Sequence, residues 1–149
     1  MRHDTFRIVL DRRKQTLADI SGIIFKQVNT IDGLDYWIAK LQPQYQFIFV
    51  LYCGSRERDG LSWCPQCRAL EEHLVEVAPT LPDDLVLIYV QVGTYEEWID
   101  DKNAFRTSQS THVQNVPTLV NFRTGQRLTE YECSNFANVD KFLYRLQVE

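Results

Sequence analysis

Residues 63–67, with the sequence Trp-Cys-Pro-Gln-Cys, decide the fold of this chain through the patterns that flank them. An almost continuous apolar run at residues 46–52 precedes the motif, and such a run is typical of a strand buried on both faces. A helical pattern at residues 67–78 follows the motif. The two cysteines are therefore expected in the first turn of a helix that follows a buried strand and a loop.

The start of a helix is a suitable place for a reactive cysteine. Unpaired backbone N–H groups and the positive end of the helix dipole stabilise a thiolate there and lower its pKa from about 8.5. Cys64 is predicted to be the nucleophile, with a pKa below that of a free cysteine and below that of Cys67. Gln66, between them, is neutral and does not oppose the thiolate. Cys67 lies further inside the turn and is predicted to resolve a mixed disulfide on Cys64.

Composition argues against several classes of protein. The 149 residues fit one domain with a single core, and 44% apolar with 24% charged residues are ordinary for a soluble globular chain. The net charge of −4 and the scattered basic residues argue against nucleic acid, and no apolar run approaches the roughly 18 residues of a membrane helix. The sequence lacks a signal-peptide pattern, and its four irregularly spaced cysteines are too few for a disulfide-stapled secreted domain, so we expect a cytoplasmic protein.

Strand and helix patterns alternate from residue 23 onward. Strands are predicted at 23–28, 46–52, 85–92, 118–122 and 127–132; helices are predicted after a Thr30 cap, at 67–78, at 95–108, and after Asn135 or Asn138. The order βαβαβαββα predicts an α/β fold with a mixed central sheet and helices on both faces. Residues 1–22 carry charges of both signs and are predicted to be a flexible or loosely packed extension of a domain at residues 23–149.

This order of elements, with Cys-x-x-Cys directly after the second strand, resembles the thioredoxin fold. The pair Val116-Pro117 lies before the hairpin, where thioredoxin-like proteins carry a cis-proline. The chain also resembles one branch, the thioredoxin domain-containing protein 17 family (the 14-kDa thioredoxin-related protein). That branch has an extended loop ending in Ser-Trp-Cys-Pro-Asp-Cys, and the similar stretches here are residues 53–67, 88–93, 98–106 and 132–133. Gln66 replaces the Asp of the family motif.

The resemblance implies a cytosolic disulfide reductase that binds no cofactor and no metal and works through a redox-active disulfide between Cys64 and Cys67. Electrons would come from NADPH through thioredoxin reductase. Small disulfides such as cystine and selected proteins would be the substrates, with a peroxidase activity as well. Residues expected to contact substrate are Trp63, as an exposed platform, and Pro65, Gln66, Val116 and Pro117. A monomer without nucleic-acid or membrane partners is expected.

Other interpretations stay open on the sequence alone. Cys53 and Cys133 would complete a Cys₄ zinc site, but zinc ribbons use two close-spaced pairs, and buried core positions suit isolated cysteines better. A [2Fe–2S] cluster bridging two chains is a lesser alternative. A glutaredoxin-like, glutathione-dependent reductase is a second functional hypothesis, although the segment after Pro117 lacks the Gly-Gly of glutaredoxins. A non-catalytic thioredoxin-fold binding module is the third, and retention of both motif cysteines argues against it.

Two predictions concern the surroundings of the motif. Residues 55–62 form a loop with four consecutive charges at 56–59, and we expect it to be solvated at the rim of the site, where it restricts substrate choice. His73 lies along the redox helix and is predicted to be solvated.

Overall fold

The computed structural model describes residues 16–19 and 22–148. Its strands and helices over that part of the chain are, in order, β1 Ile24–Val28, α1 Ile31–Leu41, β2 Ile48–Cys53, α2 Pro65–Val77, β3 Val86–Gln91, α3 Tyr95–Ile99, α4 Ala104–Thr107, β4 Thr118–Asn121, β5 Arg127–Thr129, α5 Tyr131–Ser134 and α6 Phe136–Val148. Short 3₁₀ turns at Leu17–Asp19 and Ala78–Thr80 precede β1 and follow α2.

The strands form a five-stranded sheet in the order β1-β3-β2-β4-β5. β1, β3 and β2 run parallel, whereas β4 is antiparallel to both β2 and β5. Every residue of β2 is buried, as its apolar sequence predicts for a central strand. Phe49 of β2 contacts Phe142 of α6, while Tyr52 points to the opposite face and contacts Phe105 of α4. The predicted mixed sheet with helices on both faces is therefore confirmed.

The helix α2 places both motif cysteines at its start. It begins at Pro65, two residues before the predicted position, because proline is preorganised for the first turn of a helix. Cys64 is the N-cap residue, and Cys67 lies in the first turn. The buried residues of α2 follow a helical spacing of three and four, which turns one face to the sheet: Cys67, Leu70, Glu71 and Leu74.

Side-chain caps fix where two other helices begin. Thr30 Oγ1 accepts the N–H of Gly33 at 2.9 Å, so the predicted cap of α1 is confirmed. Asn135 Oδ1 accepts the N–H of Asn138 at 3.2 Å. The contact makes Asn135, of the two candidates, the residue that caps α6.

Residues 95–108 form two short helices, so the prediction of one helix there is wrong. Asp100 is extended and ends α3. Asn103 caps α4 by accepting the N–H of Phe105 at 2.9 Å, and its amide donates to the carbonyl of Val92 at 2.9 Å. Because one side chain satisfies both the new helix and the end of β3, the break is stabilised by contacts that helical periodicity does not reveal.

The predicted strand at residues 127–132 is also wrong beyond its first three residues. β5 ends at Thr129 because Glu130 has a φ of 38°, in the left-handed region that interrupts a strand. The chain then forms the single turn of α5, in which Cys133 donates its N–H to the Glu130 carbonyl at 3.1 Å.

The described end of the N-terminal extension packs against the domain. Leu17 is fully buried in the core, and its N–H donates to Glu71 Oε2 at 3.0 Å. Leu17 therefore differs from the loosely packed extension that we expected. Residues 1–15, 20 and 21, which make up most of that prediction, lie outside the described part of the chain.

Candidate active site

The two motif thiols lie together at the N-terminus of α2. The backbone N–H of Cys67 donates to Cys64 Sγ at 3.3 Å, and both cysteines are free thiols. Cys64 is 5% exposed, whereas Cys67 is fully buried. Of the two thiols, only Cys64 can be reached by a substrate disulfide. The geometry therefore favours Cys64 as the attacking thiol and Cys67 as the resolving thiol.

The electrostatics of the pair differ from the sequence-based expectation. A hydrogen bond with the Cys67 thiol, followed by burial, raises the pKa of Cys64, although the N–H groups of Cys67 and Gln66 act in the opposite direction. Burial is the main cause that raises the pKa of Cys67. The expected low pKa of Cys64 is therefore not found in this reduced dithiol. The motif indicated the helix N-terminus but gave no sign of how deeply the thiols are buried.

The loop before β4 forms the opposite wall of the site. The Val116–Pro117 peptide bond is cis, and Val116 is buried. Cys64 Sγ lies 4.0 Å from the Val116 carbonyl oxygen and donates to it. Pro65 and Gln66 are exposed at the start of α2. The structure thus brings these predicted site residues around the Cys64 thiol.

Trp63 lines the site and is less exposed than predicted, whereas its contact with substrate stays a prediction. The indole is half-buried, and its Nε1 donates to the carbonyl of Gly93 at 2.9 Å. Its ring packs edge-on against Tyr95 with centroids 5.3 Å apart. Tyr95 is 52% exposed, so it is the aromatic group available at this rim. Sequence reasoning missed Tyr95 because it was counted only as the start of a helix.

We expect Gly54→Ala to destabilise the site by displacing Trp63. A Cβ atom at Gly54 would lie 2.4 Å from Cε2 and 2.7 Å from Nε1 of the indole, well inside van der Waals contact. Overpacking of this kind costs about 1–3 kcal/mol, measurable as a loss in the free energy of unfolding in urea. The double variant Gly54→Ala with Trp63→Ala serves as control, because removing the ring removes the clash. Equal stability of Gly54→Ala and the wild type would contradict the close approach.

The loop at residues 55–62 is a folded hairpin, so its prediction as a solvated loop is wrong for its base. Glu57 donates its N–H to the Leu61 carbonyl at 2.8 Å, and Arg56 and Ser62 pair across the hairpin. Ser62 is fully buried, and its Oγ accepts the N–H of Cys64 at 3.1 Å. The end of the hairpin therefore holds the nucleophile in position.

A buried ion pair joins this hairpin to the redox helix. The two guanidinium nitrogens Nη1 and Nη2 of Arg56 each lie 2.7 Å from one carboxylate oxygen of Glu71. The side chains are 13% and 3% exposed. Burial is the largest single influence and lowers the pKa of Arg56, but hydrogen bonding to Glu71 together with the electrostatic effects of Tyr89, Glu71 and Cys53 leaves that pKa raised. The guanidinium also stacks over Tyr89, 4.3 Å from the ring centroid. The position of Glu71, four residues after Cys67 on the buried face of α2, was the sequence signal that we missed.

The remaining candidate residues lie apart from the dithiol. The Cys133 thiol donates to the carbonyls of Leu128 at 3.3 Å and Pro117 at 3.9 Å. Within residues 16–19 and 22–148, no group of three or more His, Cys, Asp or Glu residues is placed to hold a metal ion, so the zinc alternative gains no support. His73 is not solvated as predicted: its Nε2 lies 2.7 Å from Asp140 Oδ1 and its ring stacks on Phe136. None of the helices in the described ranges is long and apolar enough to span a membrane.

A dithiol at the start of the helix after the central strand, facing a cis-proline, defines a thioredoxin fold of the thiol–disulfide oxidoreductase type. Solved structures share this fold. Thioredoxin O1 from Arabidopsis thaliana in the oxidized state matches with a TM-score of 0.53 and 20% identity over 80% of this chain and 97% of that chain. A redox protein from Chlamydomonas reinhardtii matches with a TM-score of 0.57 and 19% identity, covering 88% of this chain and 38% of that chain.

The sequence comparisons give the family. The family model of the thioredoxin domain-containing protein 17-like thioredoxin domain matches residues 27–145, and the chain belongs to this family. Thioredoxin domain-containing protein 17 from Homo sapiens is 38% identical over 120 residues, covering 80% of this chain and 95% of the relative. The protein of the same name from Mus musculus is 34% identical over 116 residues, covering 78% and 93%. The resemblance noted in the sequence is confirmed.

Proposed function

We propose that this protein is a cytoplasmic thiol–disulfide oxidoreductase that reduces small-molecule disulfides and selected protein disulfides. The observation that carries the proposal is the difference in burial between the two thiols. Cys64 is at the surface edge of the N-terminus of α2, and Cys67 is buried one turn deeper with its N–H on Cys64 Sγ. Thioredoxin reductase, supplied by NADPH, is the proposed source of electrons, and the protein itself binds no cofactor in this scheme.

The proposed reaction has two exchange steps. The Cys64 thiolate attacks one sulfur of the substrate disulfide, and the other sulfur leaves as a thiolate and takes up a proton. Cys67 then loses its proton and attacks Cys64 Sγ, which releases the second substrate thiol and forms the Cys64–Cys67 disulfide. The substrate gains two electrons and two protons, and the reductase returns two electrons and two protons to the Cys64–Cys67 disulfide, which restores the dithiol. With a peroxide, the Cys64 thiolate attacks one oxygen, the O–O bond breaks and the other oxygen leaves as water or an alcohol, so that Cys64 becomes a sulfenic acid. Cys67 then attacks Cys64 Sγ and displaces water, which forms the same disulfide.

Two features of the surroundings support these steps. Ser62 fixes the backbone of Cys64 through the bond to its N–H, which holds the nucleophile toward the Val116 carbonyl. Backbone N–H groups of Cys67 and Gln66 face Cys64 Sγ and favour the thiolate over the thiol, against the burial that raises its pKa. An incoming disulfide would occupy the space between the start of α2 and the cis-proline loop.

The test is a coupled assay of NADPH oxidation with cystine as substrate. We expect turnover with thioredoxin reductase and none above background with glutathione and glutathione reductase. Turnover with glutathione alone would replace the proposal with the glutaredoxin-like alternative. If neither reductase system supports turnover, with cystine or with a protein disulfide as substrate, the remaining interpretation is a non-catalytic binding module with a thioredoxin fold.

The tip of the hairpin at residues 55–62 is expected to limit access of large substrates. Its exposed residues Glu57, Arg58 and Asp59 project beyond the base that Arg56 anchors. Replacing residues 57–61 by Asn-Gly, a pair that closes a two-residue hairpin, should raise the rate with insulin relative to cystine by about threefold or more, which corresponds to about 0.7 kcal/mol.

The control for this prediction keeps the loop length and removes its charges, as Arg58→Ser with Asp59→Ser. A steric role predicts that the control retains the wild-type ratio of insulin to cystine reduction, whereas an electrostatic role predicts that the control behaves like the shortened loop. An unchanged ratio in a folded, shortened variant would place substrate selection elsewhere, at Tyr95 or at the Val116 edge.

A further inference from the structure

Cys53 is a third thiol beside the dithiol, at the end of the central strand. It is the last residue of β2 and is fully buried. In the parallel register, Leu51 pairs with Tyr89 and Cys53 pairs with Gln91. Side chains two residues apart share a face of the sheet, so Cys53 and Tyr89 lie on the same face. Arg56 confirms which face this is, because its backbone N–H donates to Gln91 Oε1 and its side chain binds Glu71 of α2.

The Cys53 thiol is a neighbour of the resolving cysteine, because it lies at the end of β2 on the face of the sheet that α2 covers and Cys67 lies on the buried face of α2. Burial, and after it hydrogen bonding with the Cys53 side chain, raises the pKa of Cys67, whereas the backbone N–H of Gly54 acts to lower it. Cys67 therefore has a thiol on each side: Cys64 toward the surface and Cys53 toward the sheet. Cys67 is therefore the neighbour that Cys64 and Cys53 have in common.

The surroundings of Cys53 are polar, although they are buried. The Arg56 guanidinium interacts electrostatically with Cys53. The Tyr89 side chain is fully buried, and its hydroxyl has no hydrogen-bond partner among the residues that the structure describes. Leaving a buried hydroxyl unpaired is unfavourable, which points to a neighbouring group that accepts its hydrogen bond in another state of the site. A thiolate beside it would be such a group, since it accepts hydrogen bonds and attracts the guanidinium.

We propose that Cys53 is a third redox thiol of this site and exchanges with the Cys64–Cys67 disulfide to form a Cys53–Cys67 disulfide. This inference rests on the proposed function, because it begins from the oxidised dithiol. Cys53 loses its proton and attacks Cys67 Sγ. The bond between Cys67 and Cys64 breaks, and Cys64 leaves as a thiolate that takes up a proton. The exchange consumes no oxidant, because one disulfide replaces another.

The exchange would move the disulfide from the surface to the interior. Both sulfurs of the new bond are fully buried in the reduced structure, whereas the released Cys64 is the thiol with access to solvent. The protein would then present a free nucleophile that has lost its resolving partner. Mixed disulfides on Cys64 would persist in this state until the buried bond is reduced.

The direct test uses the full-length Cys64→Ser variant, in which the surface disulfide cannot form. The protein is treated with diamide, quenched in acid, alkylated with N-ethylmaleimide, and mapped by mass spectrometry of a non-reducing digest. We expect a Cys53–Cys67 linked peptide in most molecules. It should be absent when Cys53→Ser is added and should remain when Cys133→Ser is added. Cys133 is the matched control because it too is a buried free thiol, yet it donates to the carbonyls of Leu128 and Pro117.

A second measurement uses the wild type. After oxidation by cystine, a fraction of molecules should carry the Cys53–Cys67 link together with alkylated Cys64. In Cys53→Ala this link cannot form, so the fraction of oxidised molecules in which Cys64 is alkylated should fall by about tenfold or more. The proposal is overturned if Cys53 and Cys67 are both recovered alkylated in Cys64→Ser at a diamide dose that fully oxidises wild type. That result does not contradict the proposed function, because the proposed function is tested separately by cystine reduction with the wild type. Thermal unfolding of each variant confirms that it is folded.

Discussion

We expect the Cys64→Ser variant to lose disulfide reduction by about 10³-fold or more, while Cys67→Ser reacts once and stops. The contrast follows from access, because Cys64 is the motif thiol with an exposed edge and Cys67 is fully buried. Without Cys64, the remaining thiols of this site are fully buried and react only when the fold opens transiently, which is too rare to sustain turnover with cystine but is sufficient for an excess of diamide. Without Cys67, Cys64 still forms the mixed disulfide, but no adjacent thiol displaces the substrate.

The measurement pairs kinetics with mass spectrometry. Each variant is assayed with cystine under the coupled conditions, and its intact mass is then recorded without reducing agent. Cys67→Ser should carry one half-cystine on Cys64, whereas Cys64→Ser should carry none. Cys133→Ser is the control cysteine variant and should keep the wild-type rate. A half-cystine on Cys67 in the Cys64→Ser protein, formed at the wild-type rate, would reverse the two roles.

The sequence was sufficient for the fold because the fold depends on patterns that are local in the chain. The apolar run of β2 and the motif after it predicted a buried strand followed by the redox helix, and both are found. The start of α1 could be predicted from Thr30, because a capping side chain and the N–H that it accepts are only three residues apart in the sequence. Boundaries were wrong where a single side chain reaches across elements. Asn103, for example, caps the start of α4 and also donates to the carbonyl of Val92, the residue after β3.

The sequence predicted that Cys64 and Cys67 lie together, but it did not predict their burial. The motif located Cys64 and Cys67, yet burial and the contact between their thiols raise both pKa values, and neither cause is local. The Trp63 indole donates a hydrogen bond to the carbonyl of Gly93, thirty residues away, so the sequence offered no sign that the ring is partly buried. The hairpin appeared solvated because charged side chains usually are, and its partner Glu71 lies fifteen residues further along.

Removing the positive charge of Arg56 is expected to destabilise the fold more than any other surface-loop substitution proposed above. Arg56→Met keeps the aliphatic stem beneath the guanidinium but leaves the Glu71 carboxylate, which is 3% exposed, without its charged partner and with the N–H of Leu17 as a remaining donor. Breaking one side of a buried pair costs about 3–5 kcal/mol. For a domain of this size the melting temperature should fall by roughly 10–15 °C. Arg58→Met, an exposed arginine two residues on, should change it little.

The double variant Arg56→Met with Glu71→Leu measures what the Arg56–Glu71 ion pair contributes to stability. Replacing both charges by apolar groups of similar volume removes the uncompensated carboxylate, so most of the lost stability should return. Activity is expected to recover less than stability, because Arg56 also donates to the Gly60 carbonyl at 3.0 Å and so closes the hairpin that ends at Ser62. Thermal unfolding and the cystine assay are both applied to the wild type, Arg56→Met, Arg58→Met and the double variant. Together they separate the effect on stability from the effect on activity. Equal melting temperatures for the single and double variants would show that charge pairing does not hold the hairpin to α2.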